Sequence, residues 1–290
     1  MRVAFQGENG AYSHAAILMH FGEDPGIQAV PCRSFAELFA AVDAGEADFG
    51  MVPVENSLGG AVTGINDLLL NYDFKASAEI LYPVRHNLVV ARPPEGSPRD
   101  EITHVRSHPQ ALEQCREYLA RQGLAPVDWY DTAGAAKSLV EEPAPGTAAL
   151  SSLIAANTWN LEIVDRDVAD GPGNLTRFLL IGHETAERTE DSKTSVLFAV
   201  PDQPGGLVKA LQVFSDRNIN LTNISSFPRR NRRWNYVFFM EFLGHIEDPI
   251  VSEAVTQLLV NTAFLKLLGS FPRAPEPDDL SPGRIAGLGK

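Results

Sequence analysis

Cysteine is scarce in this chain of 290 residues, which contains only Cys32 and Cys115. The two lie far apart and outside any Cys-x-x-Cys spacing, so neither a disulfide framework nor a cysteine-based metal site is expected. This scarcity favours a reducing compartment. The N-terminus also turns polar by residue 7, before a signal-peptide core could form. Together these features predict a cytoplasmic protein.

Long hydrophobic runs and positive charge are also lacking. No apolar run approaches the ~20 residues that a membrane span requires. The chain has 24 Lys and Arg against 37 Asp and Glu, a net charge of −13. The electric field of this negative charge repels nucleic acid. It also repels an anionic metabolite, although salt screens that repulsion at separations beyond about 8 Å. An anionic ligand must therefore be held by local donors: helix N-termini, hydroxyls, amides and a few arginines.

Several common catalytic motifs are missing. The seven histidines form no His-Glu-x-x-His motif, and no Gly-x-Ser-x-Gly elbow is present. Gly7 and Gly10 give half of a dinucleotide-binding pattern, without a third glycine or a phosphate-binding lysine. A tight turn explains that pair equally well. The sequence therefore predicts no metal, nucleotide or organic cofactor.

The first 182 residues alternate between short apolar runs and helical patterns, with polar or glycine-rich turns between them. The runs predicted to be strands lie at 2–6, 49–54, 104–106, 127–130 and 148–150. This alternation predicts an α/β domain whose parallel sheet carries helices on both faces. Polar residues follow the strands, at the edge where such sheets bind ligands. They indicate either a shared anion site or helix caps.

A polar linker at 184–193 precedes a change of pattern. Strands are predicted at 194–200, 219–227, 234–243 and 263–271, and helices at 204–217 and 249–259. This βαββαβ order is ferredoxin-like. We therefore predict a domain at 1–183, a second at 194–272 and a flexible tail at 273–290, which is rich in proline and glycine.

Five segments carry a resemblance to a known family. They read GENGAYS at 7–13, VPVENSLGG at 52–60, SHPQA at 107–111, DTA at 131–133 and NLTRF at 174–178. In this order and spacing they resemble prephenate dehydratase, which converts prephenate to phenylpyruvate. The second domain resembles the ACT domain that such enzymes carry, with GGL at 205–207 matching its ligand-loop motif.

The resemblance implies a fold, an activity and a set of residues. The fold is two α/β lobes around a cleft, as in periplasmic binding proteins, with assembly into a homodimer or homotetramer through the ACT domain. Prephenate is the implied substrate and L-phenylalanine the implied effector. The implied catalytic residue is Thr176. The implied substrate-binding residues are Ser13, Asn56, Ser57, Ser107, Gln114, Thr132, Arg177 and Phe178. The implied effector-binding residues are Gly205, Gly206, Leu207 and Ser226.

This reaction suits the residues. Prephenate loses a hydroxyl and CO2 as its ring becomes aromatic, so the protein must supply position, donors for two carboxylates and a hydrogen bond to the leaving hydroxyl. Thr176 offers that hydrogen bond, and Arg177 offers a fork for a carboxylate unless it is a structural ion-pair partner. Glu55 is expected to be structural, and His108 either caps a helix or binds the ligand. Phe178 is expected to pack in the cleft wall.

One stretch departs from the family. Members that bind phenylalanine usually carry Glu-Ser-Arg-Pro after the second ACT strand, whereas residues 225–228 here read SSFP. Four arginines follow within 229–233, where a solvated hairpin turn or a ligand or subunit contact is expected. Other functions also stay open: an arogenate dehydratase, a non-aromatising prephenate decarboxylase, and a non-catalytic amino-acid sensor. Retention of Thr176 favours dehydration.

Overall fold

The computed structural model describes residues 1–22, 24–92, 99–228 and 236–275. They form two α/β lobes and a C-terminal domain, as predicted. The arginine cluster at 229–233 and residues 276–290 of the predicted tail lie outside the described residues. In the described ranges, no helix is both long and apolar enough to span a bilayer.

Lobe one is built around a sheet whose strand order is β2-β1-β3-β11-β5, with β4 beside β3. Its elements are β1 Arg2–Gln6, α1 Tyr12–Phe21, β2 Gln28–Cys32, α2 Phe35–Asp43, β3 Phe49–Asn56, β4 Gly60–Ala61, α3 Ile65–Asn71, β5 Lys75–Pro83 and β11 Leu175–Gly182. The chain leaves this lobe after β5 and returns as β11, so lobe two is an insertion.

Lobe two contains a second sheet, ordered β10-β6-β9-β7-β8. Its elements are β6 Asn87–Val90, β7 His104–Ser107, α4 Pro109–Gln114, α5 Arg116–Gln122, β8 Ala125–Asp128, α6 Thr132–Glu141, β9 Thr147–Ser151, α7 Leu153–Thr158 and β10 Glu162–Asp165. The prediction of a purely parallel sheet is wrong. β1 and β7 pair in parallel with their neighbours, but β11 runs antiparallel to β3 and β5, and β6 runs antiparallel to β9 and β10.

The polar residues predicted at the strand ends do begin helices. The first backbone N–H groups of these helices therefore lie beside the cleft between the lobes. Asp131 accepts from the backbone N–H of Gly134 to cap α6, and Ser152 caps α7. The cap of α4 is His108, whose Nδ1 accepts from the backbone N–H of Gln110. Ser107 is the last residue of β7.

The turn at residues 7–10 joins the lobes closely, which explains its glycines. Gly10 has a φ of 96°, and a Cβ there would lie 2.5 Å from the Cα of Ala155 in α7. The Ser152 hydroxyl donates to the Gly10 carbonyl at 2.7 Å. The Gly-x-x-Gly pattern is therefore a tight turn that lobe two packs against.

The C-terminal domain has the predicted βαββαβ order, with a sheet ordered β13-β14-β12-β15. Its elements are β12 Ser192–Ala199, α8 Gly206–Ser215, β13 Leu221–Pro228, β14 Tyr236–Leu243, α9 Pro249–Asn261 and β15 Phe264–Pro272. One face of the sheet packs on α8 and α9, where Phe198, Phe214 and Phe242 are fully buried. β12 begins two residues before the predicted boundary because Ser192 and Lys193 are buried.

The other face of this sheet packs on lobe one in one continuous apolar core. Leu197, Phe239 and Phe271 of the C-terminal domain share it with Val52 and Leu179 of lobe one. The chain stays attached past β15, since the Ala274 N–H donates to Glu79 at 3.1 Å. The predicted tail therefore starts with an anchored segment.

Gly269 provides a test of this packing. It has a φ of 147°, and a Cβ there would lie 2.5 Å from the Ala76 carbonyl oxygen in lobe one. We expect Gly269→Ala to lower the free energy of unfolding by about 1–3 kcal/mol, because backbone must move to admit the methyl group. Chemical denaturation measures it.

Gly171→Ala is the matched control, because nothing lies within 4 Å of its added Cβ. The control should change stability by no more than about 0.5 kcal/mol. Equal stabilities for the two variants would contradict the close packing described at Gly269.

Candidate active site

A cleft of about 240 Å³ lies between the lobes, where the ends of β1, β3 and β11 face α4 and α6. Its polar lining residues are Gln6, Tyr12, Ser13, Asn56, His86, His108, Gln110, Gln114, Asp131, Thr132, Asn174 and Thr176. Pro53, Val62, Val84 and Phe178 supply an apolar wall. Its size and mixed lining suit a small polar metabolite.

The structure brings six of the predicted site residues to this cleft. They are Ser13, Asn56, Gln114, Thr132, Thr176 and Phe178. Phe178 is 1% exposed and forms part of the apolar wall, as expected from the sequence. His108 fills the first of its two proposed roles, since it caps α4. It also lines the cleft, and its role in binding the ligand stays a prediction.

Asn56 fixes the orientation of the polar groups around Thr176. Its Oδ1 accepts from the backbone N–H groups of Leu58 and Gly59, at 3.1 and 2.8 Å, so its Nδ2 must be the donor. That Nδ2 lies 3.0 Å from Thr176 Oγ1, 2.7 Å from Asn174 Oδ1 and 3.1 Å from the Leu175 carbonyl oxygen, so its two hydrogens are shared among three acceptors. Because Thr176 Oγ1 is one of these acceptors, its own hydrogen remains able to donate to a ligand in the cleft.

The hydrogen-bond directions can be followed further, from Asn174 to His86, a histidine that belongs to none of the quoted motifs. Since Asn174 Oδ1 accepts from Asn56, its Nδ2 donates to Gln114 Oε1 at 3.0 Å. Gln114 Oε1 also lies 2.8 Å from His86 Nε2, which must therefore carry a hydrogen. His86 Nδ1 lies 2.9 Å from the Tyr12 hydroxyl. An ordered chain of hydrogen bonds thus runs from Tyr12 to Thr176.

Burial sets the protonation of this chain. His86 is 2% exposed, and its burial lowers its pKa from the ordinary value of 6.5. Burial also raises the pKa of Tyr12 well above its ordinary value, so the phenol stays protonated. His86 is therefore neutral near pH 7, with hydrogen on Nε2. The single hydrogen of the Tyr12 hydroxyl is shared between two acceptors, His86 Nδ1 at 2.9 Å and the Arg85 carbonyl oxygen at 2.8 Å. The cleft floor at this end consists of uncharged groups.

Asp131 is the carboxyl group among the described lining residues, and it accepts a hydrogen bond from the backbone of Glu8 in lobe one. Burial raises its pKa, although the backbone N–H of Gly134 opposes that rise. Nearby, Glu8 of lobe one accepts from the Tyr130 hydroxyl at 3.4 Å and pairs with Lys137 at 3.2 Å, both in lobe two. These contacts close one side of the cleft.

Arg177 is not brought to the cleft. Successive residues of a strand point to opposite faces, so Thr176 faces the cleft while Arg177 faces the C-terminal domain. There its guanidinium contacts Glu241, Glu55 and Glu79 at 2.8, 3.3 and 3.3 Å. Burial alone would lower the arginine pKa, but Glu241 and Glu79 raise it. The structure places Arg177 as an ion-pair partner, and Glu55 is structural as expected.

Two predicted serines are also absent from the cleft lining. The Ser57 hydroxyl donates to the Gly173 carbonyl at 2.8 Å and accepts from the Leu175 N–H. Ser107 is fully buried and donates to the Leu150 carbonyl at 2.9 Å. Both satisfy backbone groups of neighbouring strands, so neither is placed to bind a ligand in the cleft.

Six polar cleft residues were not proposed as binding residues from the sequence: Gln6, Tyr12, His86, Gln110, Asp131 and Asn174. Tyr12, Gln110, Asp131 and Asn174 belong to quoted motifs, and their place beside proposed residues was the available signal. His86 lies in the first crossing between the lobes and belongs to no motif. Only the fold shows that it meets Gln114.

No described residue of the cleft lining is a lysine or arginine. Across the described ranges, no cluster of three or more His, Cys, Asp or Glu side chains has the arrangement of a metal site. An anion in the cleft would therefore meet hydroxyls, amides and the first backbone N–H groups of α1 and α6, which carry partial positive charge.

A second pocket lies in the C-terminal domain, at the loop before α8. Gly205, Gly206 and Leu207 line it, as predicted for effector binding, together with Tyr236 and Phe238. Ser226 does not line it. It lies on β13 opposite Phe238 of β14, with its side chain exposed.

Comparisons with known proteins give a consistent result. A family model for prephenate dehydratase matches residues 3–186, and one for the ACT domain matches residues 194–260. A protein of Arabidopsis thaliana named "arogenate dehydratase/prephenate dehydratase 2, chloroplastic" is 38% identical over 94% of this chain and 73% of its own length.

Two solved structures are similar over nearly the whole chain. Prephenate dehydratase from Arthrobacter aurescens, in complex with L-Phe, has a TM-score of 0.85 and 32% identity, covering 97% of this chain and 94% of that one. A protein called GqqA, described as one of "a novel type of quorum quenching acylases", has a TM-score of 0.85 and 33% identity, covering 95% and 99%.

The state of His86 is directly measurable. We expect its imidazole to show the Nε2–H tautomer in nitrogen-15 NMR spectra and to stay neutral as pH falls through 6.5, because burial lowers its pKa. The unfolded chain binds a proton at that pH and the folded chain does not. The stability that His86 contributes is therefore present above pH 6.5 and is lost as pH falls below it.

A His86→Gln variant is the reference, and its stability should depend less on pH in that range. An imidazole that titrates near 6.5 in the folded protein would contradict the assignment.

Proposed function

Because the chain belongs to the prephenate dehydratase family, a family of decarboxylating lyases, we propose that its cleft converts prephenate to phenylpyruvate, water and CO2. The observation that carries the proposal is the hydrogen bond from Asn56 to Thr176, which leaves the Thr176 hydrogen able to donate to a ligand in the cleft. The sequence match supplies the substrate class. The geometry supplies the group that acts on it.

The reaction needs one proton. As the bond between the ring and its carboxylate breaks, CO2 departs and the electron pair enters the ring. The ring carbon–hydroxyl bond then breaks, and the leaving oxygen takes a proton to become water. In our proposal Thr176 donates a hydrogen bond to that oxygen and gives it a proton while taking one from solvent water, since threonine itself is a weak acid. Aromatisation provides the driving force, so no cofactor is required.

Both substrate carboxylates need donors, and the cleft offers neutral ones. Thr132 lies in the first turn of α6 and Ser13 in the first turn of α1, so hydroxyls and helix N-termini act at the same places. His108 and Gln110 of lobe two line the same cleft. Arg177 has no part in holding the anion, because its guanidinium is bound to three carboxylates on the far side of β11.

Two other activities are considered for the same cleft: dehydration of arogenate and hydrolysis of an acyl bond. Arogenate differs from prephenate in carrying an amino group where prephenate has a keto group, and the Arabidopsis relative is named for both substrates. Acyl-bond hydrolysis, the activity attributed to GqqA, calls for a nucleophile beside a base. Thr176 Oγ1 instead receives a hydrogen from Asn56, so its surroundings favour donation over nucleophilic attack.

Substitution of Thr176 tests the proposal. Thr176→Val keeps the shape and removes the hydroxyl, so we expect kcat to fall by ~10²–10⁴ while KM changes little. Phenylpyruvate formation from prephenate is measured by absorbance, with arogenate assayed in parallel. Thr176→Ser keeps the hydroxyl and is the matched control, expected to retain most of the activity.

A Thr176→Val variant with nearly normal kcat would remove the proposed role. A parent enzyme that acts on arogenate alone would reassign the substrate. Turnover of neither compound would leave the sensor interpretation.

For the C-terminal domain we propose an effector site and a subunit contact. The solved Arthrobacter relative binds L-Phe, and the pocket at Gly205, Gly206 and Leu207 combines close backbone approach with the aromatic side chains Tyr236 and Phe238. β13 is an edge strand and Ile224 on it is exposed, which supports pairing of two chains into a homodimer or homotetramer. The two cysteines are buried and unpaired, which supports the cytoplasmic assignment.

Calorimetry of the full chain with L-phenylalanine tests the effector site. We expect binding of L-phenylalanine, no binding of D-phenylalanine, and about 3- to 30-fold weaker binding by Tyr236→Ala, because an aromatic contact is lost. Tyr236 is 45% exposed, so its removal should spare the fold. Light scattering gives the subunit number in the same samples. Absence of heat, with activity unchanged by the amino acid, would leave this domain as an assembly module.

A further inference from the structure

Five charged side chains meet between lobe one and the C-terminal domain. This interdomain cluster consists of Glu55, Glu79 and Arg177 from lobe one with Lys193 and Glu241 from the C-terminal domain. The Glu241 side chain is fully buried, and those of Glu79, Lys193 and Arg177 are 3%, 8% and 11% exposed. Burial of so many charges is costly unless each is paired, so their arrangement is tightly constrained.

The pairing is nearly complete. Arg177 Nη1 donates to both oxygens of Glu241, at 2.9 and 2.8 Å, and Lys193 Nζ donates to Glu79 at 2.6 Å. The Ser195 hydroxyl donates to Glu241 at 2.6 Å. Burial alone would raise the pKa of Glu241, but Arg177 and Lys193 outweigh it and lower that pKa. Glu241 is therefore ionised and holds the Arg177 guanidinium from the C-terminal side.

The cluster is directly joined to the candidate active site through the chain. In the antiparallel register of β11 and β3, Thr176 lies opposite Asn56 and Arg177 lies opposite Glu55. Thr176 and Asn56 form the hydrogen bond at the cleft. Their immediate neighbours in the chain, Arg177 and Glu55, belong to the interdomain cluster on the other face of the same two strands.

The C-terminal domain reaches this pair of strands at a second point. Asn223 Nδ2 donates to Glu55 Oε2 at 2.9 Å. Asn223 belongs to β13, the strand that ends in the SSFP stretch and pairs with β14, whose Tyr236 and Phe238 line the effector pocket. A shift of β13 or β14 therefore changes a contact to Glu55 or to Arg177.

We propose that Glu241 and Asn223 are positioning residues for the dehydration. They fix Arg177 and Glu55, and through these the adjacent Thr176 and Asn56, so that the C-terminal domain sets the alignment of the donor in the cleft. An effector bound at the loop of the C-terminal domain then changes turnover through the same contacts. This inference rests on the proposed function.

Asn223→Ala is the sharper test, because it removes one neutral hydrogen bond and leaves every charge in place. We expect kcat to fall by about 2- to 30-fold with KM little changed, and the effect of L-phenylalanine on turnover to shrink by a similar factor. Asn223→Asp sets a further carboxylate against Glu55 and should lower kcat more. Glu241→Gln keeps the side-chain shape and should show the same split between kcat and KM.

Glu253→Gln is the matched control. Glu253 pairs with Arg217 within the C-terminal domain at 3.0 Å and has no described contact with lobe one. It should leave kcat, KM and the response to phenylalanine unchanged. Thermal unfolding of all variants shows whether each is folded at the assay temperature. If Glu241→Gln does not fold, the two Asn223 variants decide.

Values of kcat and effector response in Asn223→Ala that match those of Glu253→Gln would overturn the inference while leaving the proposed function intact. A parent chain that turns over neither prephenate nor arogenate would remove the proposed function, and this inference with it.

Discussion

The two-residue period of β11 is the constraint on which the rest of the structure depends. Phe178 and Leu180 belong to the core that the two lobes share, whereas Leu179 and Ile181 belong to the core shared with the C-terminal domain. A strand buried on both faces fixes its register strongly, since a slip of one residue would exchange the faces. The same period places a hydroxyl on one face and a guanidinium on the other. Catalytic cleft and domain interface are thus two sides of one strand.

The sequence identified the loops of the site well and some of its side chains poorly. Polar residues after successive strands predicted a common edge, and Asn56, Thr132 and Thr176 do meet there. The assignment of Arg177 to the substrate failed because neighbours on a strand face opposite ways, and the sequence does not show which partner covers each face. The Ser57 hydroxyl forms hydrogen bonds with backbone groups whose positions only the fold determines.

Long-range contacts account for most of what could not be predicted. His86 contacts Gln114 because the chain segment that crosses between the lobes passes that residue, and no local sequence pattern predicts this contact. Likewise Glu241 and Arg177 lie far apart in sequence and meet because a second domain packs on lobe one. In contrast, the βαββαβ order of that domain follows from local periodicity and was predicted closely.

The insertion of lobe two has a mechanical consequence. The chain enters lobe two after β5 and leaves it just before β11, so the crossings run side by side, with Val84 N–H bonded to the Asn174 carbonyl. These two crossings are the pivot between the lobes, and the C-terminal domain packs on lobe one behind them. If lobe two swings open, it carries Gln110 and Thr132 away while Thr176 stays with the domain behind it. Lobe two would then lose its hydrogen bond from Asn174 to Gln114, whereas the bond from Asn56 to Thr176 lies wholly within lobe one.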